Sequence, residues 1–228
     1  MAQLRCAPRN DCAAATANAQ RAQKQAWDLI REHLLKTRDK QVARVEKKLP
    51  RQGLVNYAAL AHRLLGQPPD ESPAILMQRL CDSVHGAWNK WQAVLTRAQE
   101  TRAANNLHAF RVATKDLRYR TELLYDLGHK EMKAQLKWLQ DLQEALGVWH
   151  DRQVLYQAVA EAIARPEVLL DQLQAVRILL AELEKNHSRE AEEIEKIFHL
   201  AFEHPGHKQM ESWSQTTNSS RLTHHVRG

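Results

Sequence analysis

Residues 107–128 read LHAFRVATKDLRYRTELLYDLG, and the spacing of apolar residues in this stretch decides the fold class. On a helix, Leu107, Phe110, Leu117 and Leu124 would lie on one face, as in an amphipathic helix that packs against a core. Gly128 follows, and glycine commonly stands just past the end of a helix. The stretch therefore predicts one amphipathic helix that ends near Gly128.

The same three- and four-residue periodicity extends over most of the chain, and we find no convincing strand-like alternation. The 228 residues are 43% hydrophobic, which is enough to build a core and argues against disorder throughout. Only 7 glycines and 7 prolines interrupt the pattern. We therefore expect an all-α protein, an antiparallel bundle or bundles of long amphipathic helices.

Breaks in this periodicity predict where the helical domain begins and ends. Residues 1–13 have the composition of a disordered N-terminus. A helical domain is expected over residues 14–203, with N-terminal helices in residues 14–65 and a C-terminal bundle in residues 72–203. Residues 204–228 are polar, rich in Ser and Thr and without period, so we expect a disordered tail.

Turn-forming residues set the predicted helix ends. The first long helix is expected from about Ala14 to Leu49, with a short helix over residues 56–65. Ser72 and Pro73 should begin the next helix, because serine caps a helix N-terminus and proline fits its first turn. The remaining expected bounds are a break at Gly147, a break at Pro166 and a last helix over residues 167–202.

The sequence also predicts a soluble, cytoplasmic protein. The longest run without charge, residues 52–62, is about half of what a membrane-spanning helix needs. The N-terminus has no apolar stretch typical of a signal peptide. Cys6, Cys12 and Cys81 are an odd set without metal-ligand spacing, which fits a reducing compartment.

Positive charge is concentrated in the N-terminal half. The 33 basic and 27 acidic residues give a net charge of +6. Residues 1–106 hold 17 basic and 9 acidic side chains, residues 107–165 hold 9 and 8, and residues 166–228 hold 7 and 10. This distribution favours an anionic partner that binds to one side of the protein.

Four residues of the quoted stretch form a basic stripe within an arc of about 80° on the helix. They are His108, Arg111, Lys115 and Arg118. The stripe extends about 15 Å along the axis, enough to meet several phosphates of an extended anion. Arginine and lysine donors suit tetrahedral oxyanions better than planar bases. The alternative is an ordinary solvated face, in which Arg118 pairs with Glu122 four residues on.

Three motifs in order resemble the CHAD family, the conserved-histidine α-helical domain. The quoted helix is similar to that family's H-x-x-R-x-x-x-K-x-L-R-Y-x-x-E-L signature, read here from His108 to Leu123. Residues 136–147, LKWLQDLQEALG, resemble its second signature helix, and His150-Asp151 with Val154 resembles the H/R-D-x-x-V that follows. The resemblance implies two pseudo-symmetric helical bundles and a non-catalytic module that binds inorganic polyphosphate along a basic surface. The expected localisation is the cytoplasm, with polyphosphate granules as a candidate place within it.

Residues 1–106 depart from the family pattern, because they contain no first-repeat helix of the H-x-x-R type. A second basic stripe, about 22 Å long, is the candidate replacement. It comprises Lys36, Lys40, Arg44, Lys47, Lys48 and Arg51, with Leu34, Leu35, Val42, Val45 and Leu49 on the opposite face. Our hypothesis is that the two stripes line one groove. The alternative is that Asp39 and Glu46 partly neutralise this helix and that its lysines only keep the protein soluble.

Three further basic residues follow the stripe. Lys137 is included in the site through the resemblance, although Gln140 and Glu144 make its surface mixed. His150 and Arg152 are additional candidates, and His150 either donates to a phosphate or caps a helix start. For Asp151 a structural role near a helix N-terminus is favoured.

The sequence contains no pattern that predicts catalysis or a cofactor. It has no Gly-rich phosphate loop, nucleophile elbow or HExxH motif, and its tail histidines lack the partners of a closed metal site. We expect a protein that is not an enzyme and that binds polyphosphate. A nucleic-acid-binding module and a metal-binding or scaffold protein remain the alternatives. A homodimer is plausible because one half of the family's pseudo-symmetry is abridged.

Overall fold

The computed structural model describes residues 9–48 and 72–225, and within these ranges every regular element is helical. The helices are α1 (Arg9–Lys48), α2 (Pro73–Thr101), α3 (Ala104–Asp126), α4 (Lys133–Ile163), α5 (Pro166–Asp171), α6 (Leu173–Glu203) and α7 (Pro205–His225), with one 3₁₀ turn at Lys130–Met132. The all-α prediction is confirmed. Among the described helices, none combines the length and the apolar character that spanning a membrane requires.

The chain divides into two compact units. Of the described residues, the first unit contains 9–48 and 153–188, and the second contains 72–152 and 189–225. Helices α4 and α6 therefore each contribute one segment to each unit.

The core of the second unit is built on the apolar face of α3. Leu107, Phe110, Leu117 and Leu124 are all buried, as their spacing predicts. Thr114 is the polar member of this face, and it accepts a hydrogen bond of 3.0 Å from the indole Nε1 of Trp91 on α2. Its hydroxyl donates to the carbonyl oxygen of Phe110. This part of the core is therefore both apolar and satisfied in its hydrogen bonds.

The start of α2 follows the predicted capping pattern. Ser72 is the N-cap residue, and its hydroxyl oxygen accepts a hydrogen bond from the backbone N–H of Ile75. Pro73 occupies the first helical turn. At the other end of α2, Arg102 adopts a left-handed backbone conformation with φ 50°, which turns the chain directly into α3.

The predicted break at Gly147 is wrong, because α4 continues through it from Lys133 to Ile163. A glycine inside a helix costs only about 1 kcal/mol relative to alanine. Leu142 and Leu146 before Gly147, and Trp149 after it, are all buried in one core and hold both sides of the glycine in the same helix.

The prediction of a disordered tail beyond His204 is also wrong where the structure describes it, because Pro205–His225 forms α7. Met210 and Ser214 of this helix are buried. The imidazole of His207 lies 5.3 Å from the ring of Trp88, measured between centroids, and 5.7 Å from that of Trp138. A polar helix is thus held by a few contacts with a tryptophan cluster, which its own composition does not reveal.

Close approach explains the glycine at the start of α7. A Cβ on Gly206 would lie 2.4 Å from Cβ and 2.9 Å from Cγ of Trp138. Only a residue without a side chain lets α7 pack this closely against α4.

In the first unit, α1 begins at Arg9 rather than near Ala14, so the predicted disorder of residues 9–13 is wrong. The core here is small and contains Ala26 and Ile30 of α1, Val159 and Ala162 of α4, and Ala175 and Leu179 of α6. The C-terminal helix predicted over residues 167–202 is interrupted at Gln172, between α5 and α6. Residues 1–8, Leu49, Arg51 and the short helix predicted over 56–65 lie outside the described residues.

The apolar face expected opposite the lysines of α1 is not a buried face. Leu34, Leu35, Val42 and Val45 are all exposed. Further towards the N-terminus, Ala26, Ile30 and His33 of the same helix are buried, so α1 is anchored along its middle part.

Candidate functional site

Helix α3 presents the predicted basic stripe at the rim of the second unit. His108 is exposed, whereas Arg111, Lys115 and Arg118 are half-buried. This gradation follows from the helix geometry, since the stripe runs beside the face that buries Leu107 and Phe110. The packing of the apolar face thus fixes where the basic groups emerge.

Helix α4 brings His150 to this stripe. The imidazole rings of His108 and His150 lie 5.4 Å apart between centroids, at an angle of 45°. Burial lowers the pKa of His150, and the positive charges of Arg111, His108 and Lys115 lower it further, while Asp151 acts in the opposite direction. We call His108, Arg111, Lys115 and His150 the cationic cluster.

The two permanently charged members of the cationic cluster, Arg111 and Lys115, are not paired with any of the described acidic residues. Among the residues that the structure describes, Arg111 and Lys115 have no hydrogen-bond or ion-pair partner, and Nε of Arg111 is buried without one. Asp116, next to Lys115 in sequence, instead accepts a hydrogen bond of 2.9 Å from Nε of Arg120. The cluster is therefore a group of donors that an external anion can satisfy.

Arg118 behaves differently from the other members of the predicted stripe. Its Nη1 lies 3.1 Å from Oε2 of Glu122, four residues on, as in the alternative interpretation of the sequence. Its guanidinium group also lies 4.3 Å from the ring centroid of Tyr119, and its Nε is buried without a partner. Arg118 thus extends the stripe with only part of its hydrogen-bonding capacity free.

Lys137 does not join the cationic cluster. Its Nζ lies 2.6 Å from Oδ1 of Asp141, and this contact raises the pKa of the lysine. The side chain is 69% exposed. On α4 it is rotated by about 140° from His150, so it occupies a different face of the helix.

Arg152 forms an internal ion pair. Its Nη2 lies 2.5 Å from Oε1 of Glu193 on α6, and the two side chains are only 19% and 23% exposed. Arg152 is rotated by about 160° from His150 around α4. Of the two additional candidates on α4, the structure therefore brings His150 to the stripe and not Arg152.

The second stripe is only partly paired. In α1, Nζ of Lys36 lies 2.6 Å from Oε1 of Glu32, and Asp39 pairs with Arg38. The remaining described members of this stripe are exposed and have no ion-pair partner among the described residues: Lys40, Arg44, Lys47 and Lys48. The hypothesis that both stripes line one groove stays a prediction.

Two residues of α4 that the sequence interpretation did not select share the face of His150. Gln143 and Gly147 precede it by seven and three residues, which is the spacing of one helix face. Oε1 of Gln143 is buried without a hydrogen-bond partner. A Cβ on Gly147 would meet no atom within 4 Å. Their spacing from His150 was the signal that could have revealed them.

The described residues contain no group of three or more His, Cys, Asp or Glu side chains arranged to hold a metal ion. The two histidines of the cationic cluster are accompanied by cations instead. The arrangement is suited to binding anions through N–H donors of side chains from two helices.

The comparison with protein families matches the CHAD domain model to residues 9–160. No curated protein and no solved structure matches the chain. The family match begins at the first described residue of α1, includes all of α2 and α3, and ends within α4. Since it covers more than half of the 228 residues and contains the whole cationic cluster, the chain belongs to the CHAD domain family.

Proposed function

We propose that this chain binds inorganic polyphosphate on the cationic cluster of α3 and α4. CHAD domains are linked to polyphosphate binding in general. The observation that carries the proposal for this chain is that Arg111 and Lys115 lie beside His108 and His150 without a described carboxylate partner. An anion placed there would relieve the mutual repulsion of these groups.

The chemistry of the cluster fits a chain of phosphates. Arg111 offers a planar fork of N–H donors, and Lys115, one helical turn further, offers a mobile ammonium group. Neutral imidazoles can each donate one N–H to a phosphate oxygen. A repeating tetrahedral anion can satisfy donors on both helices without any base-specific contact.

The proposal assigns the remaining basic candidates by their partners. Arg118 contributes the N–H groups of its guanidinium that do not pair with Glu122. A long polymer has candidates for a second contact on α1: Lys40, Arg44, Lys47 and Lys48. Lys137 and Arg152 are not assigned to the site, because each pairs with a carboxylate and lies on a different face of α4 from His150. We propose binding without a catalytic step, by a protein of the cytoplasm.

Titration of the full chain with labelled polyphosphate tests this proposal. The affinity should rise with polymer length and fall steeply with salt, because bound cations are released from the polymer when the protein neutralises its phosphates. Two competitors complete the experiment: triphosphate, and duplex DNA at the same concentration of phosphate units. Weak displacement by both supports the proposal. Equal displacement by duplex DNA would favour a nucleic-acid-binding module instead.

A further inference from the structure

Gly147 occupies a position where neither the backbone nor the packing requires a glycine. It lies in the interior of the continuous helix α4, and its φ is not positive. A Cβ at this position would meet nothing within 4 Å. In contrast, Gly206 is enforced by the approach of Trp138, and Gly128 has φ 121°. Glycine within a helix is less stable than alanine, so the free protein gains nothing from it there.

The open space at Gly147 is next to the cationic cluster. A short connection joins the end of α3 to the start of α4. The contact of His108, near the start of α3, with His150, in the middle of α4, then requires the two helices to run in opposite directions. Arg111 follows His108 by three residues on α3, and Gly147 precedes His150 by three residues on α4. Gly147 therefore lies at the same level as Arg111, about 4.5 Å along the helix axes from the histidine pair.

We infer that Gly147 is a positioning residue of the polyphosphate site, where the missing side chain lets the polymer cross α4 against the helix backbone beside Arg111 and His150. This inference rests on the proposed function. A side chain at position 147 would fill the space that the phosphates need while leaving the four side chains of the cationic cluster in place.

Substitutions at Gly147 and at Gly86 test the inference. Gly86 is a matched control, because it also lies inside a helix, α2, with nothing within 4 Å of its Cβ position. The variants are Gly147→Ala, Gly147→Leu, Gly86→Ala and Gly86→Leu. Each is measured for thermal unfolding and for its dissociation constant with long-chain polyphosphate.

Both alanine variants should unfold at a higher temperature than the original protein, because alanine favours the helix. Only the Gly147 variants should lose affinity, by about threefold for alanine and at least about tenfold for leucine. Equal affinities of Gly147→Leu and Gly86→Leu would overturn the inference, whether both are unchanged or both are weakened. If the original protein does not bind polyphosphate, the proposed function itself fails, and the two failures are thus distinguishable.

Discussion

His108 and His150 come from different helices, α3 and α4, and their imidazole rings lie 5.4 Å apart between centroids. Burial, together with the positive charges of Arg111, His108 and Lys115, makes protonation of His150 unfavourable in the free protein. An anion bound to the cluster would reverse this cost, since it would favour the imidazolium form. Proton uptake and anion binding should therefore be coupled at this site.

Polyphosphate binding should strengthen as the pH falls from the pKa of His150 in the complex towards its lower pKa in the unbound protein. In the protein without bound anion, the pKa of His150 lies below the usual value of 6.5, and bound phosphates should raise it. Between these two pKa values binding takes up a proton, and each proton taken up strengthens binding by up to about tenfold per pH unit. The dissociation constant measured between pH 7.5 and 5.5 checks this, together with calorimetry in two buffers of different ionisation enthalpy.

Two histidine variants distinguish the titration of His150 from other effects of low pH on binding. His150→Gln should bind more weakly and show a smaller pH dependence. His199→Gln should keep the full pH dependence, since His199 is exposed on α6 and pairs with Glu203. The same lowered pKa predicts that the free protein loses stability as the pH falls through the range below 6.5, because the unfolded chain binds the proton first. An unchanged pH dependence in His150→Gln would contradict the coupling.

Arg152→Gln should lower stability without weakening polyphosphate binding. The substitution leaves the carboxylate of Glu193 partly buried and without its cation. We expect a loss of about 1–3 kcal/mol in the free energy of unfolding, measured by urea denaturation. Arg97→Gln, at an exposed position of α2, is the control and should change neither property. A marked loss of affinity in folded Arg152→Gln would return Arg152 to the binding site.

Gly206→Ala should destabilise the packing of α7. The new methyl group would lie 2.4 Å from Cβ of Trp138 and 3.1 Å from the carbonyl oxygen of Ala134, so one of the helices must shift. The cost should be about 1–3 kcal/mol, seen as a lower unfolding temperature and faster amide exchange in α7. Gly86→Ala, which has open space around its new methyl group, should not be destabilised. If Gly206→Ala is as stable as Gly86→Ala, the described approach of α7 to Trp138 is wrong.

The sequence predicts best those elements whose own residues carry the pattern. Helix α3 has four large apolar residues on one face, so its burial could be derived without its neighbours. Helix α7 could not be, because its buried positions include Gly206, Met210 and Ser214, whose environment is provided by other helices. The sequence alone does not decide whether a helix ends at Gly147. Glycine often stands at helix ends, but it also occurs inside helices that are stabilised by packing on both sides of it.

The site shows the same division between local and tertiary information. The stripe on α3 follows from helical spacing, and so does the pairing of Lys137 with Asp141 four residues on, which the sequence interpretation did not consider. The pairing of Arg152 could not be derived in this way, because Glu193 comes from α6. Which cations remain available to a ligand is therefore decided by packing as much as by the motif.

The most direct test of the proposed site is the affinity of the double variant Arg111→Glu/Lys115→Glu for long-chain polyphosphate. Its matched control is Lys90→Glu/Arg97→Glu, which makes the same change in net charge at exposed positions of α2. With circular dichroism spectra unchanged, we predict that the first variant loses at least about a hundredfold in affinity, and that the control stays within about threefold of the original protein. Equal affinities of the two double variants would contradict the assignment of polyphosphate binding to the cationic cluster.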